Sequence, residues 1–291
     1  TQFIYVLKYV VFLGTANKKR HLVKLMFKKY GVFGLILILL VEINFFYTFV
    51  DLGTLYFPLI WFGYIFLIDS LVYKLKKNSL ITNRFYQFLG LFVLSALFWW
   101  LFELVNFRLN NWDYISSGRI FSFGVIIKTL AFATVLPAFF ETLELIRSFH
   151  LFEKRKLHKK HRITKGFIQT MIIIGVVFLI LPIIFPEYFF PLVLFTFFLI
   201  LDPINYIHKQ PSVIGHLKDR KLTMPLSLLL AGIIMGFLWE FWNFYATTKW
   251  YYNIPFLGFF KIFEMPVLGY LGYFPFAFEL LGEDGEVARL E

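Results

Sequence analysis

The feature that most constrains this chain is a series of eight apolar stretches that cover most of its 291 residues. A helix needs about 20 apolar residues to cross the hydrocarbon core of a membrane. Lipid offers no partner for backbone polar groups, which a helix satisfies internally. We therefore predict an all-α integral membrane protein with eight transmembrane helices, at residues 31–50, 55–73, 86–106, 120–146, 166–185, 188–207, 223–246 and 257–281.

The composition excludes several other classes of protein. Hydrophobic residues make up 59% of the chain and charged residues 16%, whereas soluble domains average roughly 45–50% and about 25%. The chain has no cysteine, which excludes disulfides, cysteine-bound metals and thiol catalysis. The six histidines lie in predicted loops without a matching set of carboxylates. We therefore expect neither a metal site nor a cofactor.

The distribution of Lys and Arg predicts the orientation of the spans. Of the 29 basic residues, 24 fall on one side of the alternating spans, and the positive-inside rule places that side in the cytoplasm. We expect both termini there, in a multi-pass protein of the cytoplasmic (inner) membrane of a prokaryote. The formal net charge of +11 then favours anionic lipid headgroups at the basic loops, and not nucleic acid, as partners.

The two halves of the chain share an ordered set of residues, which predicts an internal duplication. The matched pairs are Pro58 and Pro191, Asp69 and Asp202, Glu103 and Glu240, Asn106 and Asn243, Trp112 and Trp250, Tyr114 and Tyr252, Pro137 and Pro275, and Glu141 and Glu279. Each half has an even number of spans, so the repeats are parallel, with a pseudo-two-fold axis along the membrane normal. The predicted parts are a basic interfacial segment (1–30), repeat one (31–146), a basic linker (147–165), repeat two (166–281) and an acidic tail (282–291).

Carboxyl groups inside the predicted spans are the strongest functional signal. A charged group at the centre of a membrane helix costs about 2.5–3.5 kcal/mol on insertion scales. Only Lys128 and Lys261 fall inside the spans as cations, so most of the acids must be neutral, hydrogen-bonded or hydrated. The acids are Glu42, Asp69, Glu103, Glu141, Glu144, Asp202, Glu240, Glu264 and Glu279.

Two of these acids, Glu103 and Glu240, are the candidate catalytic residues. Each lies near the outer end of its span, one helical turn before an asparagine. We therefore predict that Asn106 and Asn243 donate to these acids and orient them as proton donors. The alternative is that each pair only holds helices together. Candidate substrate-binding residues are the inner acids Asp69, Asp202, Glu141 and Glu279, with Trp112, Trp250 and Tyr252 at the outer interface.

The aromatic residues near the outer interface permit two interpretations. Trp and Tyr commonly form belts at membrane–water interfaces. The same side chains could instead line a cavity that holds a polyene or a quinone, or that stabilises a carbocation by cation–π contact. The sequence by itself leaves this choice open.

The region around Glu240 resembles the lycopene cyclase domain of heterodimeric and fused carotenoid cyclases. In that family an acidic residue ends one span, a W-x-[FY] motif follows, and a P-[LI]-E-E motif opens the next span. Glu240, the run Trp250-Tyr251-Tyr252 and Pro266 follow this order, and Glu103 and Trp112 repeat its start. The chain departs from the family after Pro266, where Val267 and Leu268 precede a glycine. The resemblance implies tandem repeats and chemistry on a carotenoid.

Together these observations favour a membrane protein that binds or converts a long isoprenoid or carotenoid-type lipid. As an enzyme it would carry out redox-neutral acid–base chemistry, as a cyclase- or hydratase-like lyase or isomerase. Two alternatives stay open: a non-catalytic subunit of a larger membrane complex, and a proton- or cation-coupled transporter. The sequence also leaves open whether the chain forms a homo- or hetero-oligomer in the membrane.

Overall fold

The computed structural model of the chain describes residues 27–280, apart from 48, 51, 116–120, 160–161 and 257, and apart from the side chains of 54 and 121–123. The predicted interfacial segment, up to residue 26, and the predicted acidic tail lie outside the described residues.

The described chain is built mainly from helices. They are α1 (Lys29–Tyr47), α2 (Tyr56–Lys76), α3 (Leu80–Asn83), α4 (Phe85–Leu109), α5 (Phe121–Ala133), α6 (Val135–Ser148), α7 (Lys165–Ile184), α8 (Pro186–Phe189), α9 (Val193–Ile207), α10 (Val213–Lys218), α11 (Thr223–Tyr245) and α12 (Tyr273–Glu279). Short strands are β1 (Trp112–Tyr114), β2 (Trp250–Tyr252), β3 (Lys261–Ile262) and β4 (Met265–Pro266). Three turns of 3₁₀-helix lie at Gly53–Leu55, Phe190–Leu192 and Val267–Gly272.

Seven stretches of the described chain are long and apolar enough to cross a membrane. They are Lys29–Tyr47, Tyr56–Lys76, Phe85–Leu109, Gly124–Ser148, Lys165–Ile184, Pro186–Ile207 and Thr223–Tyr245. These correspond closely to the first seven predicted spans. A multi-pass helical membrane protein is therefore confirmed.

The eighth predicted span, 257–281, is wrong as a single helix. Between residues 258 and 280 the chain forms the hairpin β3–β4, a 3₁₀-helix and the short helix α12. Hydropathy alone suggested a span, but Pro266 lacks a backbone donor and Gly269 and Gly272 weaken a helix. The two glycines also permit close contacts, since a Cβ on Gly272 would lie 2.5 Å from Leu194 Cδ1.

The fourth span is interrupted between α5 and α6. Pro137 removes one backbone donor of the helix, and the chain turns at Thr134. Ser95 of α4 inserts its hydroxyl at this break, where it donates to Phe132 O and accepts from Leu136 N. A polar side chain from a neighbouring helix thus satisfies the backbone groups that the break exposes in lipid.

Helix α2 is the centre of the bundle and is buried along most of its length. It packs against α1 through glycines, with Gly31 and Gly34 of α1 facing Ser70 and Gly63 of α2. Small residues at such an interface let two backbones approach closely, which is how helices associate in lipid without a hydrophobic driving force between them. The outer helices α4 and α7 expose long apolar faces.

The basic loops lie on one side of the bundle, which we call the basic side and define by residues 77–84, 147–159 and 208–222. Arg220 Nε donates to Leu157 O at 2.8 Å and joins two of these segments. The third contacts the neighbouring helix ends, through Tyr30 Oη and Thr82 Oγ1 at 2.8 Å and an Arg84–Glu144 ion pair. The charge distribution predicted that these basic loops share one side of the bundle, and in the structure they lie together.

On the opposite side, β1 and β2 form a two-stranded antiparallel ribbon that joins the two halves of the chain. Trp112 pairs with Tyr252 and Tyr114 pairs with Trp250. Trp112 matches Trp250 in the sequence, and Tyr114 matches Tyr252, so the pairing is self-complementary. We call this element the ribbon. Its centre, Asp113 opposite Tyr251, is where a local two-fold axis would pass.

Candidate functional site

A partly open cavity of about 920 Å³ lies beside the ribbon. Its walls come from both halves of the chain, including α4, α5, α11, α12 and the segment 265–272. The wall is largely aromatic: it includes Trp99, Trp100, Phe102, Phe132, Trp239 and Phe276. Pockets for small molecules have this character, apolar with a few placed polar groups, and this volume is at the upper end of their usual range.

Glu240 lies behind the cavity wall in the second half of the chain and is fully buried. Its Oε1 accepts hydrogen bonds from Tyr252 Oη at 2.6 Å and from Tyr273 Oη at 3.0 Å. Both tyrosines line the cavity. Among the described residues, Oε2 of Glu240 has no hydrogen-bond partner. The carboxyl group is therefore connected to the cavity through phenol groups.

Glu103 has the corresponding position in the first half of the chain. Its Oε1 accepts from Tyr114 Oη at 2.6 Å and from Trp112 Nε1 at 2.8 Å. Its Oε2 is 3.9 Å from Lys128 Nζ. The tyrosine, the tryptophan and the lysine all line the cavity. Both matched acids thus contact the cavity wall through the tyrosine of the ribbon strand.

The ribbon tyrosines are held in their protonated form. Burial, followed by the charge of Glu240, raises the pKa of Tyr252 well above its usual value. Burial and then Glu103 raise the pKa of Tyr114 in the same way. A phenol with a raised pKa keeps its proton at neutral pH and donates it in a hydrogen bond.

The predicted role of the two asparagines is wrong. Asn243 is fully buried, but it donates to Trp250 O at 2.9 Å and accepts from Trp250 N at 3.0 Å. Asn106 donates likewise to Trp112 O at 2.8 Å. Each asparagine therefore anchors the ribbon strand that follows it, because a three-residue strand cannot satisfy its own backbone groups.

Two of the predicted substrate-binding acids have structural partners far from the cavity lining. Asp69 accepts from Ser79 Oγ at 2.9 Å and from Ile81 N at 2.8 Å. Asp202 accepts from Val213 N and Ile214 N at 2.5 and 3.0 Å. These bonds satisfy free donors at the starts of α3 and α10. We therefore withdraw the assignment of Asp69 and Asp202 to substrate binding.

Glu141 and Glu279 are buried and likewise do not line the cavity. Glu141 lies close enough to Asp69 for their carboxyl groups to interact. Their assignment to substrate binding is also withdrawn, since neither side chain lines the cavity. The structure instead brings Trp112, Trp250 and Tyr252 together at the cavity, where they were predicted to contact substrate.

The remaining acids of the predicted spans have local partners. Glu42 accepts from Trp242 Nε1 at 3.0 Å, and Glu264 pairs with Lys249 at 2.5 Å. Glu144 pairs with Arg84 and with Lys76. As the sequence predicted for most of these groups, burial is accompanied by hydrogen bonds or ion pairs.

Sequence reasoning missed Tyr273, which gives Glu240 its second donor, and the serines that begin α3 and α10. The serines had a detectable signal, since Ser79 and Ser212 each follow the matched aspartate by ten residues. Tyr273 had none, because it lies within the stretch that hydropathy assigned to a continuous helix. In the part of the chain that the structure describes, no group of three His, Cys, Asp or Glu residues could hold a metal ion.

Comparison of this chain with protein-family models, with curated proteins and with solved structures found no match. The fold and site by themselves define a helical, multi-pass membrane protein with an aromatic cavity flanked by two matched carboxyl–tyrosine pairs.

Proposed function

We propose that this protein binds a long isoprenoid or carotenoid-type lipid in the aromatic cavity, and that it converts the lipid by redox-neutral proton chemistry. The observation that carries the proposal is the combination of a large, mainly aromatic cavity with Glu240 hydrogen-bonded to two tyrosines of its wall. An apolar ligand fits such walls, because nearly all of its surface can be removed from water there.

The chemistry follows from how Glu240 is connected to the cavity. With Glu240 protonated, Tyr252 or Tyr273 can turn its hydroxyl toward the cavity, give its own proton to a double bond and take the proton of the carboxyl group. Protonation of one carbon leaves a carbocation, which the surrounding aromatic faces stabilise. Return of a proton from a neighbouring carbon, through the same phenol to the Glu240 carboxylate, then gives an isomerised or cyclised product with no change in oxidation state. Glu103 and Tyr114 form the matched pair in repeat one, where Lys128 Nζ lies 3.9 Å from the carboxyl group.

Binding can be tested by filling the cavity. In lipid nanodiscs, lycopene should quench the tryptophan fluorescence of the wild-type protein saturably, because several tryptophans line the cavity. A double variant, Val125→Phe with Ala131→Phe, places two rings in the cavity and should weaken this quenching at least about tenfold, as a loss of about 1.4 kcal/mol. Quenching that never saturates would reflect partition into lipid and would contradict the proposal.

The matched control adds the same two rings elsewhere. Val176 and Val177 lie on the exposed face of α7, so the double variant Val176→Phe with Val177→Phe should bind lycopene like the wild type. An equal loss of lycopene affinity in both double variants would show that the added rings disturb the whole protein, and not the cavity specifically.

We also propose that the two halves are parallel repeats and that the basic side is cytoplasmic, in the inner membrane of a prokaryote. The self-complementary pairing of the ribbon supports the duplication, as do the aspartates that accept at the starts of α3 and α10.

The proposed orientation predicts which side of the membrane labels reach. The chain has no native cysteine, so single cysteines at Lys77, Lys159 and Lys218 can be labelled selectively. A membrane-impermeant maleimide should label all three only after the cytoplasmic side is opened, because basic loops are retained there. A cysteine at Tyr251 of the ribbon is the opposite control and should react from outside. Labelling of any basic-side position from outside would refute the orientation.

A further inference from the structure

Lys128 is a cationic side chain in the cavity wall, and its donors lack hydrogen-bond acceptors among the described residues. Its Nζ lies 3.4 Å from the centre of the Tyr114 ring, and 3.9 Å from Glu103 Oε2, beyond hydrogen-bond distance. The side chain is 34% exposed. An ammonium group carries three donors, and an occupant that excludes water from the cavity has to accept from them or leave them unsatisfied at a cost.

Glu103 is not positioned to accept a hydrogen bond from Lys128 across the 3.9 Å between Oε2 and Nζ. Its Oε1 is held by Trp112 Nε1 and by Tyr114 Oη, which directs the carboxyl group toward the ribbon. The free donors of Lys128 therefore point to an oxygen acceptor supplied by whatever occupies the cavity.

The charges around Lys128 indicate what kind of oxygen this is. Glu103 and Asp113 both act electrostatically on the Lys128 ammonium, and Glu103 Oε2 lies 3.9 Å from its Nζ. A phosphate or carboxylate would bring further negative charge next to two carboxyl groups, which is unfavourable at short range. An uncharged hydroxyl or carbonyl oxygen accepts from the ammonium without this repulsion.

Resting on the proposed function, we infer that the ligand is an uncharged isoprenoid with a hydroxyl or carbonyl group at one end, and that Lys128 binds this oxygen. Lys128 is thus the residue that selects the head group, while the aromatic wall binds the apolar tail. The lipid lies with its oxygen toward the Lys128 end of the cavity and its chain between the two halves.

Three retinoids with one polyene tail and different heads test this inference. They are retinol, its hydrocarbon analogue axerophthene and retinyl phosphate, each titrated against tryptophan fluorescence in nanodiscs. Retinol should bind about tenfold tighter than axerophthene, as a hydrogen bond to a charged donor provides, and tighter than retinyl phosphate. Equal affinity for retinol and axerophthene, or strongest binding of retinyl phosphate, would overturn the inference.

Two variants assign the effect to Lys128. Lys128→Met removes the charge and the donors at similar length, and should abolish the preference for retinol while axerophthene binding stays within about twofold. Lys128→Arg keeps the charge and donors and should keep the preference, which guards against misfolding of the first variant. Lys261→Met, on the exposed hairpin strand β3, is the control and should behave like the wild type.

The proposed function fails in a different way from the inference. If no retinoid, including axerophthene, quenches saturably, then both the lipid cavity and its head-group selection are wrong. If axerophthene binds saturably but the retinol preference is absent or survives in Lys128→Met, the cavity stands and only the head-group inference falls.

Discussion

Replacing Glu240 by glutamine is expected to abolish turnover of a polyene substrate while the protein stays folded. The amide is nearly isosteric and still accepts from Tyr252 and Tyr273, the two donors to the native carboxyl. It cannot supply a proton to carbon, however, and loss of a positioned general acid typically lowers a rate about 10²–10⁴-fold. The measurement is conversion of lycopene in D₂O, where each product molecule should contain one deuterium and otherwise have the composition of the substrate.

A matched control and an opposite variant complete this test. Glu264→Gln alters an acid on the same side that pairs with Lys249, and it should leave turnover unchanged. Glu240→Leu removes the acceptor and leaves two buried phenols unsatisfied, which should lower thermal stability by about 2 kcal/mol or more. Full turnover by a folded Glu240→Gln protein would eliminate the proton-donor role and leave Glu240 as a structural group.

Gly34→Leu is expected to prevent the packing of α1 on α2. A Cβ at Gly34 would lie 2.6 Å from Gly63 O and 2.9 Å from Leu67 N. Both neighbours are backbone atoms of α2, so the conflict cannot be relieved by a change of rotamer. Even moderate overpacking typically costs about 1–3 kcal/mol, and here the whole helix must move. The expected result is a large drop in the temperature at which the detergent-purified protein loses its monodisperse peak.

Gly90→Leu is the control for this change. Gly90 lies on the exposed face of α4, and a Cβ added there would have no neighbouring atom of another element within 4 Å. The same substitution at this position should therefore not lower the melting temperature. If Gly34→Leu melts like Gly90→Leu, close contact of α1 and α2 is not required for the fold.

Hydropathy and charge predicted the first seven spans because both signals reflect the preference of side chains for lipid or for water, which does not depend on how the helices pack. An apolar stretch as long as 31–50 is stable as a helix across the hydrocarbon core. A run of basic residues next to it keeps that end on one side of the membrane. The same reasoning failed for 257–281, because Pro266 and Gly269 interrupt a helix without lowering the mean hydropathy. Only the packing of that segment against the cavity explains its shape.

The candidate site was predicted in part, for a similar reason. The spacing of Glu103 and Glu240 relative to Trp112 and Trp250 located the acids near the ribbon, but it could not reveal their partners. A strand of three residues has no usable period, so the pairing of Trp112 with Tyr252 was invisible in the sequence. The asparagines bond to that strand. The tyrosines, and not the asparagines, donate the hydrogen bonds to the acids.

The ribbon also restricts how the two halves can move. A carrier that exposes its site to each aqueous phase in turn has to separate its halves on both sides of the membrane. Separation on the ribbon side would break the β1–β2 backbone bonds, together with the 2.7 Å hydrogen bond from Asn253 to Asp113. With the ribbon intact, the halves can separate only by a pivot about the ribbon that opens toward the basic side. For the proposed lipid ligand, such a pivot predicts sideways exchange with the bilayer, so that its concentration in the membrane, and not in either aqueous phase, would set its occupancy of the cavity.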